Sequence, residues 1–163
     1  MFGITYFYDS PAPIPFYNTC SSFLFMMPMY DPELVKPMEE ELSKLGFTAL
    51  KTPAQVEKHF PGKGTILLVV NSVCGCSAGG CRPAIKLALQ NSKKPKHLYT
   101  VFAGVDREAT EKVRSFISHP PSSPSVALFK DGKVVFFQHR HDIQGHEPEQ
   151  IAAALTRAFD MFC

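Results

Sequence analysis

The chain has no tryptophan, no tract of basic residues and no long apolar segment. A membrane-spanning helix needs about 20 consecutive apolar residues, so a membrane protein is not expected. The net charge is +2 over 163 residues, without a Lys/Arg stripe, and nucleic acid is therefore not an expected partner. With 45% hydrophobic and 20% charged residues, the composition is typical of one soluble globular domain with its own core.

Cysteine is also scarce, and its distribution is uneven. The chain has five cysteines, and three of them lie between Cys74 and Cys81. An odd number clustered in this way is not typical of a secreted disulfide framework. It indicates thiol or metal chemistry in a reducing compartment, and we therefore expect a cytoplasmic protein.

Basic residues are absent before Lys36, whereas nine of the nineteen aromatic residues lie in the first thirty positions. A secretory signal is not expected, because three prolines between positions 11 and 15 interrupt the apolar stretch that it requires. We expect residues 1–28 to be an extension and residues 29–163 to be the domain. The extension is either an ordered aromatic segment that docks on the domain or a result of start-site choice, with the native chain beginning near one of the methionines at 26, 27 or 29. The second interpretation is favoured, and Cys20 is given no role.

Hydrophobic periodicity and turn signals predict alternating helices and strands. A continuous apolar run at 66–70 indicates a strand covered on both faces, and Asp131-Gly132 predicts a hairpin. The predicted order begins with a helix that opens at Asp31-Pro32 and ends at Gly46, a strand at 47–50 and a helix at 53–60. The strand at 66–70, a helix around 85–89 and a strand at 99–105 follow. The chain then continues with a helix capped by Asp106 that carries residues to 117, strands at 125–129 and 134–137, and a last helix that carries residues 151–162. This order predicts an α/β sandwich with a mixed sheet and an extra N-terminal helix.

The segment Cys74-Gly75-Cys76 follows the strand at 66–70 and precedes a helix. Either Ser77 caps this helix and Pro83 kinks it, or the helix begins at Pro83. Unpaired N–H groups and a partial positive charge at a helix start favour the thiolate, which is the nucleophile in disulfide exchange. Gly75 leaves room for an incoming disulfide and tolerates the tight backbone of a C-x-C bridge. The carboxyl ends of parallel strands are also where ligands bind. Cys74 and Cys76 are therefore predicted to be redox-active.

Two alternatives remain open for the cysteine cluster. Cys81 completes a C-x-C-x4-C pattern, and three thiolates could bind copper(I) or zinc. Because no second C-x-x-C pair or H-x-x-x-H pair completes a four-ligand zinc set, the redox interpretation is favoured and no cofactor is expected. The other alternative is a redox-inert domain that serves protein contacts.

Three further residues are candidates for an accessory role. Pro124 precedes a predicted strand, and its X-Pro bond is either cis or an ordinary trans bond. Arg82 either stabilises a thiolate, binds an anionic group of the substrate, or lies on the surface. Cys163 is either a third redox thiol or a free terminal cysteine.

Several segments resemble the bacilliredoxin family in register from about Met29 to Cys163. They are Met29-Tyr30-Asp31-Pro32, Pro37-Met38, Val70-Asn71-Ser72-Val73-Cys74-Gly75-Cys76-Ser77-Ala78-Gly79, Arg82-Pro83-Ala84, the run from Pro121 to Gly132, and Ala158-Phe159-Asp160-Met161-Phe162-Cys163. The extension before Met29 departs from the family pattern, and so does Cys81.

The resemblance implies a thioredoxin-like fold, in which Pro124 falls at the position of the cis-proline. It implies an enzyme that removes bacillithiol from mixed disulfides on cytosolic proteins, with disulfide isomerase or reductase activity as a related description. Cys74 would be the attacking cysteine and Cys76 the resolving one. The implied partners are bacillithiol-modified proteins and bacillithiol or another low-molecular-weight thiol.

Overall fold

The structure is a computed structural model, and it describes residues 27–163. Most of the predicted extension, including Cys20, lies outside these residues, and so do both interpretations of its origin. The domain boundary placed at residue 29 stays a prediction.

Helices and strands alternate along the described residues. In chain order they are α1 (Pro32–Ser43), β1 (Thr48–Ala49), α2 (Pro53–His59), β2 (Thr65–Asn71), a π-helix (Ser77–Cys81), α3 (Arg82–Ala88), β3 (His97–Phe102), α4 (Arg107–Arg114), β4 (Ser125–Lys130), β5 (Lys133–Gln138), a 3-10 helix (Arg140–Asp142) and α5 (Pro148–Phe162). The predicted order of elements is confirmed.

The described strands form one mixed sheet in the order β1-β3-β2-β4-β5. Strands β1, β3 and β2 are parallel, whereas β4 and β5 are antiparallel to their neighbours. Val70 pairs with Ser125, so the carboxyl end of β2 lies beside the start of β4. This register brings the segment after β2 next to the loop before β4.

Both faces of the sheet are covered by helices. From β2, Leu67 and Val69 pack in one core cluster with α3 and α5, and Ile66, Leu68 and Val70 pack in a second cluster with α2 and α4. The continuous apolar run of β2 is explained by this double burial, since every side chain of the run lies in a core.

Local signals position several elements as the sequence predicts. The Asp31 carboxylate accepts a hydrogen bond from Glu33 N at the start of α1. Thr52 and Gln55 form a capping box on α2. Asp131 and Gly132 have φ values of 49° and 79°, which is the backbone of a two-residue hairpin turn.

Several details differ from the prediction, among them the ends of β3 and α4 and the cap of α4. Strand β3 ends at Phe102 rather than at 105, because the chain turns at Gly104, which has a φ of 89°. Helix α4 ends at Arg114, and residues to 117 form a turn. Asp106 precedes α4, but its carboxylate accepts the Phe102 N–H at 3.0 Å and does not cap the helix.

None of the helices in the described part of the chain has the length and apolarity that crossing a membrane requires.

Candidate active site

Cys74 and Cys76 lie where β2 gives way to a helix. They form a disulfide with a Cα–Cα distance of 5.4 Å. Both residues are half-buried and Gly75 is exposed, with no atom within 4 Å of the position where a side chain would begin. A disulfide can therefore approach the pair from the Gly75 side.

The helix after the cysteines begins earlier than either predicted start. Residues 75–88 are helical without interruption, and the Cys74 carbonyl accepts hydrogen bonds from Ser77 N and Ala78 N. Gly80, in the π-helix, packs closely on α5: a Cβ there would lie 3.3 Å from Ile151 Cδ1, so that side chain would have to shift slightly. Ser77 therefore lies inside the helix and does not cap it, and Pro83 is not its first residue, so both predictions are wrong. The cysteine pair lies at the helix N-terminus.

Two features next to Cys74 favour a thiolate there. The Ser72 hydroxyl donates to Cys74 Sγ at 3.2 Å. The N-terminal N–H groups of the helix add a partial positive charge on the same side. Because the thiolate is the attacking species, this environment suits Cys74 to thiol–disulfide exchange.

Asn71 and Arg82 hold the segment that carries Cys74. Asn71 Oδ1 accepts hydrogen bonds from Ser72 N at 2.9 Å and Ser77 Oγ at 2.8 Å. Arg82 is 4% exposed, and its Nη1 donates to Asn71 Oδ1, the Ser72 carbonyl and Ser77 Oγ at 3.1–3.4 Å. Its Nε pairs with Glu41 Oε2 at 2.8 Å. The surface interpretation of Arg82 is wrong, and its contacts position the site rather than offer a guanidinium to a substrate.

Pro124 lies beside this segment. The Ser123–Pro124 bond is cis, as one of the two interpretations predicted. Pro124 is buried, and the next residue, Ser125, pairs with Val70 at the end of β2. The backbone before β4 therefore forms one wall next to Cys74.

A cavity of about 310 Å³ opens next to Cys74. Its lining comes from distant parts of the chain and includes Tyr30, Arg107, Thr110, Arg114, Ser123 and Arg140. The Tyr30 ring packs on Gly104, where a Cβ would lie 2.7 Å from Tyr30 Cε2, and Met29 N donates to the Gly104 carbonyl. The segment before α1 thus closes one side of the cavity.

Cys81 does not join Cys74 and Cys76 in a metal site. Its side chain is fully buried in the core cluster between the sheet and α5, and burial raises the pKa of its thiol to about 12. Within residues 27–163, no three His, Cys, Asp or Glu side chains are grouped so that they could hold a metal ion. In this conformation the three cysteines are not arranged as a set of metal ligands, because Cys74 and Cys76 are bonded to each other and Cys81 lies in the core.

Cys163 lies at the other end of the sheet from Cys74. Its thiol forms a hydrogen bond with the side chain of Thr65, the first residue of β2, and partial burial raises the pKa of Cys163. Cys74 lies three residues beyond Asn71, the last residue of the same seven-residue strand, and such a strand spans about 20 Å. Direct exchange between the two sulfurs of one chain is excluded in this conformation, so a redox role for Cys163 would need a second molecule.

Comparison with known proteins identifies the chain. A family described as disulphide isomerase matches residues 30–163. A bacilliredoxin of Cytophaga hutchinsonii is 50% identical over 133 residues, which cover 81% of this chain and 98% of the relative. The chain belongs to the bacilliredoxin family. A second member, from Geobacillus kaustophilus, is 47% identical over 142 residues, which cover 86% of this chain and 97% of that one.

The fold agrees with this membership. A solved structure described as having a thioredoxin fold superposes with a TM-score of 0.53 at 17% identity, covering 68% of this chain and 90% of its own. The predicted thioredoxin-like fold is confirmed. This member of the bacilliredoxin family is a thiol–disulfide oxidoreductase.

Sequence reasoning missed the cavity and its arginines. Arg107 and Arg114 lie on α4, and Arg140 follows β5. No motif joins these positions, because only the packing of α4 and β5 around the end of β2 brings them together. The hydrogen bonds that link Asn71 and Ser72 to Arg82, and the ion pair from Arg82 to Glu41, likewise have no sequence signal.

Proposed function

We propose that the protein removes bacillithiol from mixed disulfides on client proteins by exchange at Cys74 and Cys76. The observation that supports this best is the pairing of the two cysteines at one helix N-terminus, beside a cavity of about 310 Å³. A cavity of this size suits a small molecule. Membership in the bacilliredoxin family supports bacillithiol as the small thiol.

In the first step, the Cys74 thiolate attacks the bacillithiol sulfur of the mixed disulfide. A bond forms between Cys74 Sγ and that sulfur, and the bond to the client sulfur breaks. The client cysteine leaves as a thiolate, so the client is reduced and bacillithiol is now bound to Cys74. No metal or organic cofactor takes part.

In the second step, the Cys76 thiolate attacks Cys74 Sγ and expels bacillithiol as a thiolate. The two cysteines become the Cys74–Cys76 disulfide, having given up two electrons. A low-molecular-weight thiol or a dithiol protein must then reduce that disulfide. A reducing compartment such as the cytoplasm suits this cycle, because thiol reductants keep cysteines reduced there.

The test uses a client protein with one cysteine that carries bacillithiol, mixed with the reduced enzyme. With the native sequence, each client molecule should lose the mass of one bacillithiol, and one client should be released for each active site. The mass of the client should not fall with Cys74→Ser, because the nucleophile is missing. Removal by Cys74→Ser at the native rate would contradict the proposal. A client that carries glutathione in place of bacillithiol measures the preference for the small thiol.

A second candidate is isomerisation of protein disulfides, which the description of the matched family favours. In that reaction Cys74 attacks a disulfide between two protein cysteines, and the released thiolate re-forms a different pairing. A protein with scrambled disulfides should regain its native pairing faster with the enzyme than with Cys74→Ser. Fast refolding together with slow bacillithiol removal would place this candidate first.

A further inference from the structure

A mixed disulfide offers Cys74 two sulfurs, and the choice between them determines the product. Attack on the sulfur of the small thiol leaves that thiol on Cys74 and releases the client as a thiolate. Attack on the client sulfur releases the small thiol as a thiolate and joins the client to Cys74. In either reaction one S–S bond forms and one breaks, so access to each sulfur can decide the outcome.

Tyr30 lies in the wall of the cavity next to Cys74. Its ring packs against the backbone of Gly104, where a Cβ would lie 2.7 Å from Tyr30 Cε2 and 3.0 Å from Tyr30 Cδ2. Gly104 has a φ of 89°, so a glycine there serves both the turn after β3 and the close approach of the ring. The ring therefore lies directly on the end of the sheet that carries the site.

The backbone on each side of Tyr30 is held in place. On one side, Met29 N donates to the Gly104 carbonyl at 2.6 Å. On the other side, the Asp31 carboxylate caps α1 by accepting a hydrogen bond from Glu33 N at 2.9 Å. The ring is therefore fixed relative to both the sheet and α1, and a fixed wall can exclude part of a substrate.

The shape of the cavity suits one partner of the mixed disulfide better than the other. The segment at Tyr30 closes one side, and Ser123, which precedes the cis bond to Pro124, also contributes to the lining. A cysteine inside a client has backbone leaving it in two directions, so it needs a groove that is open at both ends. A small thiol ends within the site, and a cavity of about 310 Å³ has the size of a small-molecule site.

We propose that Tyr30 is a specificity-determining residue that directs Cys74 to the sulfur of the small thiol. This inference rests on the proposed exchange at Cys74 and adds the residue that selects between the two sulfurs. With the ring in place, client backbone cannot pass through the cavity, so the client sulfur is kept in the leaving position. Without the ring, the closed side opens, and Cys74 forms disulfides with the client as well.

The experiment uses a client with one cysteine that carries bacillithiol. The enzyme is reduced and carries Cys76→Ser, so that the first adduct on Cys74 persists. Acid stops the reaction at early times, before the released thiols exchange again. Intact mass distinguishes an enzyme that has gained bacillithiol from one that has gained the client, and peptide analysis maps each adduct to Cys74. The measured quantity is the ratio of client adduct to bacillithiol adduct.

The variants separate the ring from its hydroxyl. Tyr30→Ala removes the wall, and it should raise the ratio about tenfold, the lower end of what one pocket contact contributes to discrimination. Tyr30→Phe keeps the ring and should leave the ratio unchanged. Leu34→Ala is the matched control and should also leave it unchanged, because Leu34 is exposed on α1 and lies outside the lining of the cavity.

A second disulfide shows that Cys74 remains functional in each variant. The two sulfurs of bis(2-hydroxyethyl) disulfide are equivalent, so it should react with every variant at the rate of the chain that keeps Tyr30. If Tyr30→Ala does not fold, Tyr30→Leu, which retains part of the contact with Gly104, should raise the ratio in the same direction by a smaller factor.

An unchanged ratio in Tyr30→Ala, with bis(2-hydroxyethyl) disulfide still reacting, would overturn this inference and leave the proposed function intact. An equal rise in Leu34→Ala or in Tyr30→Phe would overturn it too, because the ring at this wall would not be the cause. If the chain that keeps Tyr30 gains mainly the client, or gains neither group, the proposed function itself fails.

Discussion

Arg82 is buried although it carries a full positive charge. The cost of that burial is offset by hydrogen bonds to Asn71, Ser72 and Ser77, and by the ion pair with Glu41. All three hydrogen-bond partners belong to the segment that presents Cys74. Arg82 is therefore a positioning residue, and it acts on the thiol through the backbone that carries it.

Replacing Arg82 with methionine should lower the free energy of unfolding by about 2–4 kcal/mol, since the hydrogen bonds around Asn71 and Ser77 are lost in a buried place. The pH dependence of the rate of Cys74 alkylation should also change, measured at a temperature where the variant is folded. Chemical denaturation and alkylation kinetics measure the two effects. Glu41→Gln is the control and should cost less than about 1 kcal/mol, because Glu41 is half exposed. Equal effects of the two substitutions would contradict this role.

At the scale of single residues, the sequence predicted the reactive cysteines but not the contacts that hold them in place. Spacing identified Cys74 and Cys76, because a strand before them and a helix after them are local features. Arg82 was visible only as a candidate, because its partner Glu41 lies on α1 and no periodicity links them. The burial of Cys81 was also unpredicted, since it follows from the packing of α5 on the helix.

At the scale of elements, strand β2 and its neighbours were predictable because their signals are local. The double burial of β2, the capping box of α2 and the hairpin at Asp131 each depend on a few adjacent residues. The ends of helices and strands were harder to predict where tertiary contacts determine them. Tyr30 packs on Gly104 just after β3, and the Asp106 carboxylate bonds back to Phe102 instead of capping α4.

The junction between β3 and α4 contains a buried acid, and stability should depend on its charge. Burial raises the pKa of Asp106 above its ordinary value near 3.8, despite the Phe102 N–H and Lys51. The folded state therefore holds the proton more tightly, and the stability this contributes is complete below pH 3.8 and lost as the pH rises through the folded pKa.

Asp106→Asn keeps an oxygen that can accept the Phe102 N–H and removes the titration. Its free energy of unfolding, relative to the native sequence, should rise between pH 4 and about pH 7. Denaturation at several pH values measures the difference. The matched control is Asp131→Asn, because the exposed Asp131 carboxylate also accepts one backbone N–H, that of Gly64. A relative stability that falls over this pH range would contradict burial as the dominant cause.

At the scale of the whole molecule, topology determines which residues meet at the end of β2. It brings the start of β4, the helix α4 and the segment after β5 around Cys74, and it places Cys163 at the opposite end of the sheet. The fold class followed from the order of elements in the sequence. The composition of the cavity did not, because residues more than thirty positions apart meet there only once the sheet has formed.

The most direct test of Cys74 as the attacking cysteine is the intact mass of the Cys76→Ala variant after it is mixed with a bacillithiol-modified client. We expect the variant to gain one bacillithiol, mapped by peptide analysis to Cys74 and reversed by reductant, while the client loses it. A client that stays modified beside an unmodified variant would contradict the account, and so would an adduct on Cys163.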